Sequence, residues 1–102
     1  MLYREINPQE TIRQLGGINC LKAMVGAYNF FTFDEKTGVQ FRFKGSKKAN
    51  YVGIKLRSDD TYEVTFKKIW GTKVRTVEQY HGVYCDQLIE LFENTTDLFL
   101  HF

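Results

Sequence analysis

Between Val39 and Lys67 the chain alternates apolar and polar side chains in three successive runs. Val39, Phe41 and Phe43 alternate with Gln40, Arg42 and Lys44; Val52, Ile54 and Leu56 with Gly53, Lys55 and Arg57; and Tyr62, Val64 and Phe66 with Glu63, Thr65 and Lys67. A period of two puts one face of each strand in a core and leaves the other to water or a partner. Three consecutive antiparallel strands follow. With Ser58, Asp59 and Asp60 as the turn, Leu56 opposes Tyr62, Ile54 opposes Val64 and Val52 opposes Phe66, while Lys55 meets Glu63 on the other face. A one-residue slip would mix the faces. With Gly45 to Asn50 as the earlier loop, Phe43 opposes Val52 and Phe41 opposes Ile54. Gln40, Arg42, Lys44, Tyr51, Lys55, Arg57 and Lys67 then share the second face.

The flanks complete an α+β pattern. Asn7 can cap a short helix with Pro8 at its first position and Glu10 reaching back to the capping amide. Gly16 and Gly17 end it, and Ile18, Leu21, Met24 and Val25 recur at helical spacing on a second helix that stops near Gly26. Ala27 to Phe33 is rich in strand formers, and Asp34, Glu35, Lys36, Thr37 and Gly38 follow as a hairpin. Its facing is open: either Phe31 and Phe33 or Tyr28 and Phe30 point inward, with the helix pair expected to shield part of the second sheet face.

After Phe66, Gly71 and Thr72 form a reversal with glycine first. A fifth strand then runs from about Lys73 to Tyr80, with Ile69 opposite Val74 and Phe66 opposite Val77. The same register sets Lys68 opposite Arg75, a like-charge pair that points to a binding edge. Gly82 breaks the strand. Cys85, Leu88, Ile89 and Phe92 recur at three, four and seven on an amphipathic helix that Asn94, Thr95 and Thr96 end. Leu98, Leu100 and Phe102 alternate as a possible last strand. The expectation is one α+β domain over residues 1–102: a five- or six-stranded antiparallel meander, a split N-terminal helix pair and one C-terminal amphipathic helix.

Composition narrows the chemistry. Nine Phe and six Tyr in 102 residues supply enough apolar volume for a core, and a formal charge of +2 means that basic character must come from clustering. Cys20 and Cys85 lack a CxxC partner or a histidine pair, so zinc is unsupported; both read as buried thiols, with a disulfide as the alternative. No run reaches the length of a membrane span, and charges in MLYREINPQE oppose a secretory signal, which makes a cytoplasmic location the expectation. His81 and His101 have no nucleophile at a usable spacing, and His81 reads as a strand end. Asp59 and Asp60 are turn residues rather than a metal pair. GGINCL lacks the ending of a phosphate loop, and the glycine corner offers too few polar residues for a helix-turn-helix reader. No catalytic residue, cofactor or metal ligand is assigned.

The candidate binding residues are Arg42, Lys44, Lys47, Lys48, Tyr51, Lys55, Arg57, Lys67, Lys68, Lys73 and Arg75, opposed in that region by Asp59, Asp60 and Glu63. Cations on a sheet with an exposed Tyr51 suit phosphates and stacked bases. Within GSKKAN, Gly45 and Ser46 can expose amides beside Lys47 and Lys48. The competing reading is that these lysines and arginines keep a sheet soluble and its edges unpaired.

LGGINCLKAMVGAYNF, FRFKGSKKANYVGIKL, DTYEVTF and GVYCDQLIELFENTT resemble a group of short, largely uncharacterised phage and mobile-element proteins. The resemblance covers nearly the whole chain and implies a bacterial or viral accessory protein without catalytic residues. Three functions stay open: a non-enzymatic nucleic-acid-binding module, an anti-CRISPR-like inhibitor docking on a host defence protein or nuclease with an acidic or nucleic-acid-binding surface, and a small homodimeric accessory subunit joined through an edge strand.

Overall fold

The computed structural model describes residues 3–33 and 36–100. The chain runs through α1 (Pro8–Gln14), α2 (Ile18–Val25), β1 (Tyr28–Thr32), β2 (Gly38–Arg42), β3 (Tyr51–Leu56), β4 (Tyr62–Trp70), β5 (Lys73–Val83), a 3-10 turn (Cys85–Gln87) and α3 (Leu88–Thr96). The strands form one antiparallel sheet in the order β1-β2-β3-β4-β5. The fold is α+β, with a five-stranded meander carrying two N-terminal helices and one C-terminal helix.

The helices begin and end where their sequences require. Asn7 Oδ1 accepts from the Gln9 and Glu10 amides at 3.1 and 3.3 Å, with Pro8 at the first helical position. The Glu10 carboxylate pairs with Arg13 instead of closing a capping box. Gly16 and Gly17 then both take positive φ, 106° and 94°, which turns the chain into α2 without a side-chain clash.

All three helices bury their apolar side chains on the same side of the sheet. Leu15, Leu21, Val25, Leu88 and Phe92 join Val39, Phe41, Val52, Ile54, Val64 and Phe66 in one core. The Phe92 ring centroid of α3 lies 5.0 Å from Phe43, 6.0 Å from Phe66 and 6.5 Å from Phe41. Aromatic contacts at these separations contribute about 0.5–1.5 kcal/mol each beyond area burial. The expectation that the helix pair shields part of the second face is therefore corrected: α1 and α2 sit on the core face with α3, where Thr11, Leu15, Leu21 and Val25 are buried.

The β3–β4 register matches the alternation: Leu56 pairs with Tyr62, Lys55 with Glu63, Ile54 with Val64 and Val52 with Phe66. The β2–β3 register is corrected by two residues, since Phe41 pairs with Val52 and Val39 with Ile54. The Phe43 amide donates to the Asn50 carbonyl at 3.0 Å, so the connecting loop spans residues 44–49. A shift of two keeps every side chain on its face, and the hydrophobic pattern cannot report it.

The strand β5 is longer than expected. Ile69 pairs with Val74 and Lys68 with Arg75 as expected, but Val77 is the extra residue of a bulge and Phe66 faces Glu78. Gly82, at φ 66°, sits in a second bulge and lets the strand continue to Val83, where a break was expected. His81 lies inside this strand rather than at its end.

The first strand fits neither alternative for its facing. Asn29 at φ 55° makes a bulge, so Tyr28 pairs with Arg42 and Phe31 with Gln40 on the non-core face. Phe30 turns inward, its ring centroid 5.0 Å from that of Phe41.

Residues 97–100 form no strand, yet Leu100 is buried and its amide donates to Glu93 Oε2 at 2.7 Å. Both thiols are free. Cys85 is exposed, because the 3-10 turn rotates it off the α3 stripe, and Cys20 is half-buried with its thiol donating to the Leu100 carbonyl at 2.8 Å. Asp34, Glu35, His101 and Phe102 lie outside the described residues. No described helix is long and apolar enough to cross a membrane.

Candidate nucleic-acid interface

Among the described residues no helix packs on the second face of the sheet, and the strand registers set its side chains in rows. One row crosses all five strands: Tyr28 pairs with Arg42, Arg42 with Tyr51, Tyr51 with Lys67 and Lys67 with Thr76. Aromatic and cationic side chains thus alternate over the first four strands, about 14 Å or three inter-strand spacings, and Thr76 ends the row on β5. The next row reads Phe31, Gln40, Gly53, Thr65 and Gln79. Lys55 and Glu63 follow as direct partners.

Two glycines shape this surface. A Cβ on Gly53 would come within 3.0 Å of the Phe33 ring and of the Tyr51 hydroxyl, and one on Gly38 would meet Phe33 at 2.8 Å. The missing side chains let Phe33 lie against the sheet and Tyr51 fold along its strand. Phe33, Tyr51, Lys55, Glu63, Lys67 and Gln79 wall a groove of about 250 Å³ over Gly53.

The cations here are oriented by aromatic rings. The Lys67 ammonium lies 5.4 Å from the Tyr51 centroid, and that of Lys55 lies 4.7 Å from Phe33 and 5.1 Å from Tyr3. At the edge the Lys44 ammonium lies 5.1 Å from the Tyr28 ring. Such contacts hold a charge in place without neutralising it. Arg42 has a buried Nε with no hydrogen-bond partner, which leaves the guanidinium short of an acceptor.

Glu63 is the carboxylate within this field, and its side chain is only 12 % exposed. Tyr3 and Gln79 donate to its two oxygens at 2.7 and 3.0 Å, and Arg57 Nη1 lies 3.7 Å away. The bond to Glu63 raises the Tyr3 phenol above its usual pKa, and burial raises Tyr51. Tyr51 is half-buried, its hydroxyl donating to Gln40 Oε1 at 2.6 Å, so it organises the face more than it projects from it.

The eleven candidate residues divide in space. Arg42, Tyr51, Lys55, Arg57 and Lys67 occupy the open face, with Lys44 beyond the end of β2. Lys47 and Lys48 sit on the loop beside α3, Lys68 and Arg75 point to the helix side of the hairpin, and Lys73 lies at its tip. The exposed aromatics Phe31 and Tyr28 join the open face; composition did not place them, and Asn29, tolerant of positive φ, is the residue that carries the signal. Among the described residues no group of three His, Cys, Asp or Glu side chains is arranged to hold a metal ion. Asp59 instead accepts from the Thr61 amide and hydroxyl at 3.1 and 2.6 Å, which lowers its pKa as a turn carboxylate. No family model, curated protein or solved structure matches the chain.

Proposed function

We propose that the protein binds single-stranded nucleic acid across the open face of its sheet. The row Tyr28, Arg42, Tyr51 and Lys67 carries the reading, because it alternates rings and cations across four of the five strands. Sugar-phosphate oxygens suit Arg42, Lys55 and Lys67, while Phe31 and Tyr28 offer exposed rings to unstacked bases. A duplex presents its bases edge-on within grooves and gains little from such a surface. The chemistry asked of the protein is binding.

The test is affinity for labelled single- and double-stranded DNA and RNA over a salt series. Binding to single strands should weaken steeply with salt, because each neutralised phosphate releases counterion. Replacing Lys55 and Lys67 together by Glu should lower affinity at least about tenfold and flatten the salt slope. Absence of binding at low salt overturns the reading.

A further inference from the structure

On the helix side of the sheet the β4–β5 hairpin runs past the end of α3 and faces the loop of residues 44–49. Lys68 and Arg75 are direct cross-strand partners there. Arg75, Lys47, Lys48 and Asn94 line one groove of about 460 Å³, and the Lys68 ammonium lies 3.5 Å from the Ser46 carbonyl. Like charges placed opposite each other destabilise a sheet, so this pair needs a reason to be kept together.

Neutralisation within the chain does not supply one. Lys48 is paired with Asp97 at 2.8 Å, but Lys47, Lys68 and Arg75 have no carboxylate at ion-pair distance among the described residues. Glu78 lines the same groove but forms no ion pair with any of the three cations.

The loop that brings Lys47 up to the hairpin is held firmly. The Ser46 hydroxyl donates to the Thr96 carbonyl at 2.8 Å and accepts from the Lys48 and Ala49 amides at 3.1 and 3.4 Å, while Ala49 is fully buried. Asn50 continues the anchor, its side chain exchanging hydrogen bonds of 2.7 and 2.8 Å with the backbone of Ile69. The backbones that carry the three cations are therefore held before a ligand arrives, which leaves only side-chain ordering to binding.

We propose that Lys47, Lys68 and Arg75 form a phosphate-binding site on the helix side of the sheet. A phosphate group there removes the repulsion between Lys68 and Arg75 and accepts from all three side chains. The phosphate can come from a nucleic-acid backbone rounding the hairpin from the open face, where Lys67 is the chain neighbour of Lys68, or from a free polyphosphate. The site stands on its own geometry and does not depend on the open-face reading.

The experiment is thermal unfolding of the full chain titrated with sodium tripolyphosphate at constant ionic strength. It compares the unaltered protein with a Lys68→Gln, Arg75→Gln double variant and a Lys47→Gln variant. Without the anion, the double variant should melt at or above the unaltered protein, because the repulsion is gone. Tripolyphosphate well above its dissociation constant should raise the melting temperature of the unaltered protein by roughly 5 °C. Most of that shift should vanish in the double variant and part of it in Lys47→Gln. Equal shifts in all three proteins, or none in the unaltered one, overturn the site.

Oligothymidylates of about five and about twenty nucleotides separate the two sources. Severalfold weaker binding of the long strand by the double variant, with the short one unaffected, assigns the phosphate to a nucleic-acid backbone. Unchanged affinity for both, alongside the lost tripolyphosphate shift, assigns it to free polyphosphate. Failure of the unaltered protein to bind either strand removes the open-face reading and leaves the tripolyphosphate comparison to decide this site.

Discussion

Tyr3 and Glu63, 60 residues apart, are joined by a 2.7 Å hydrogen bond in which the phenol donates to Oε2. The bond pins the start of the chain over the open face, where Tyr3 also bridges to Arg57. Tyr3→Phe should destabilise the protein by about 1 kcal/mol, measured by urea unfolding. In a double-mutant cycle with Glu63→Gln the two changes should be less than additive. Full additivity would mean that the bond contributes nothing.

Alkaline stability depends on the same tyrosine and on Tyr51. Both phenols are raised above the usual value of 10.0, Tyr3 chiefly by its bond to Glu63 and Tyr51 by burial. A phenol with a raised folded pKa keeps its proton more tightly in the folded state. Its contribution is complete below the unfolded value and is lost as pH climbs through the folded one. Unfolding free energy should therefore hold up to about pH 10 and fall above it. Tyr51→Phe should flatten that fall, and phenolate absorbance should show two late-titrating groups.

Gly38 and Gly53 should respond differently to alanine. At Gly38 the added carbon would lie 2.4 Å from the Ile54 carbonyl oxygen, a backbone atom that cannot swing aside. A loss of more than about 2 kcal/mol is expected. At Gly53 the contacts at 3.0 Å are with the ends of Phe33 and Tyr51, which can rotate. That variant should lose less stability and show a changed tyrosine environment by near-ultraviolet dichroism.

Asn50→Ala removes two hydrogen bonds to Ile69 and should cost about 1–3 kcal/mol in denaturant unfolding. The shorter Asn50→Ser should recover little of it, because its hydroxyl does not extend as far as the amide. Recovery to the original stability would show that the amide contacts are incidental.

Phe31 tests the binding face without disturbing the core. It is 61 % exposed, so Phe31→Ala should change stability by no more than about 0.5 kcal/mol. Loss of a stacking ring should weaken binding to single strands by about 1–3 kcal/mol in a fluorescence titration. Unchanged affinity would remove Phe31 from the interface.

Legibility in the sequence followed from what fixes each contact. The Leu56–Tyr62 pairing could be read because a short turn and clean alternation leave one register. The neighbouring Phe41–Val52 pairing could not, since a loop of variable length allows a two-residue shift without exposing any apolar group. Asn50 closes that loop, its carbonyl accepting from the Phe43 amide and its side chain bonding to Ile69 on β4, contacts that alternation does not report. Likewise parity alone puts Arg42, Lys55 and Lys67 on one face, while the bulge at Asn29 decides where Phe31 and Tyr28 point. Lys47 and Lys68 are close to them along the chain, and three-dimensional placement separates the two sets.

The meander also orders assembly in time. Because each strand bonds to its neighbour in sequence, the sheet can grow hairpin by hairpin as the chain leaves the ribosome, with only short loops to close at each step. Contacts between the two ends come last: the Cys20 thiol must wait for the Leu100 carbonyl. Until α3 is synthesised, Phe41, Phe43 and Phe66 lack the Phe92 ring, so the nascent sheet has only α1 and α2 over its aromatic side until the final helix folds down.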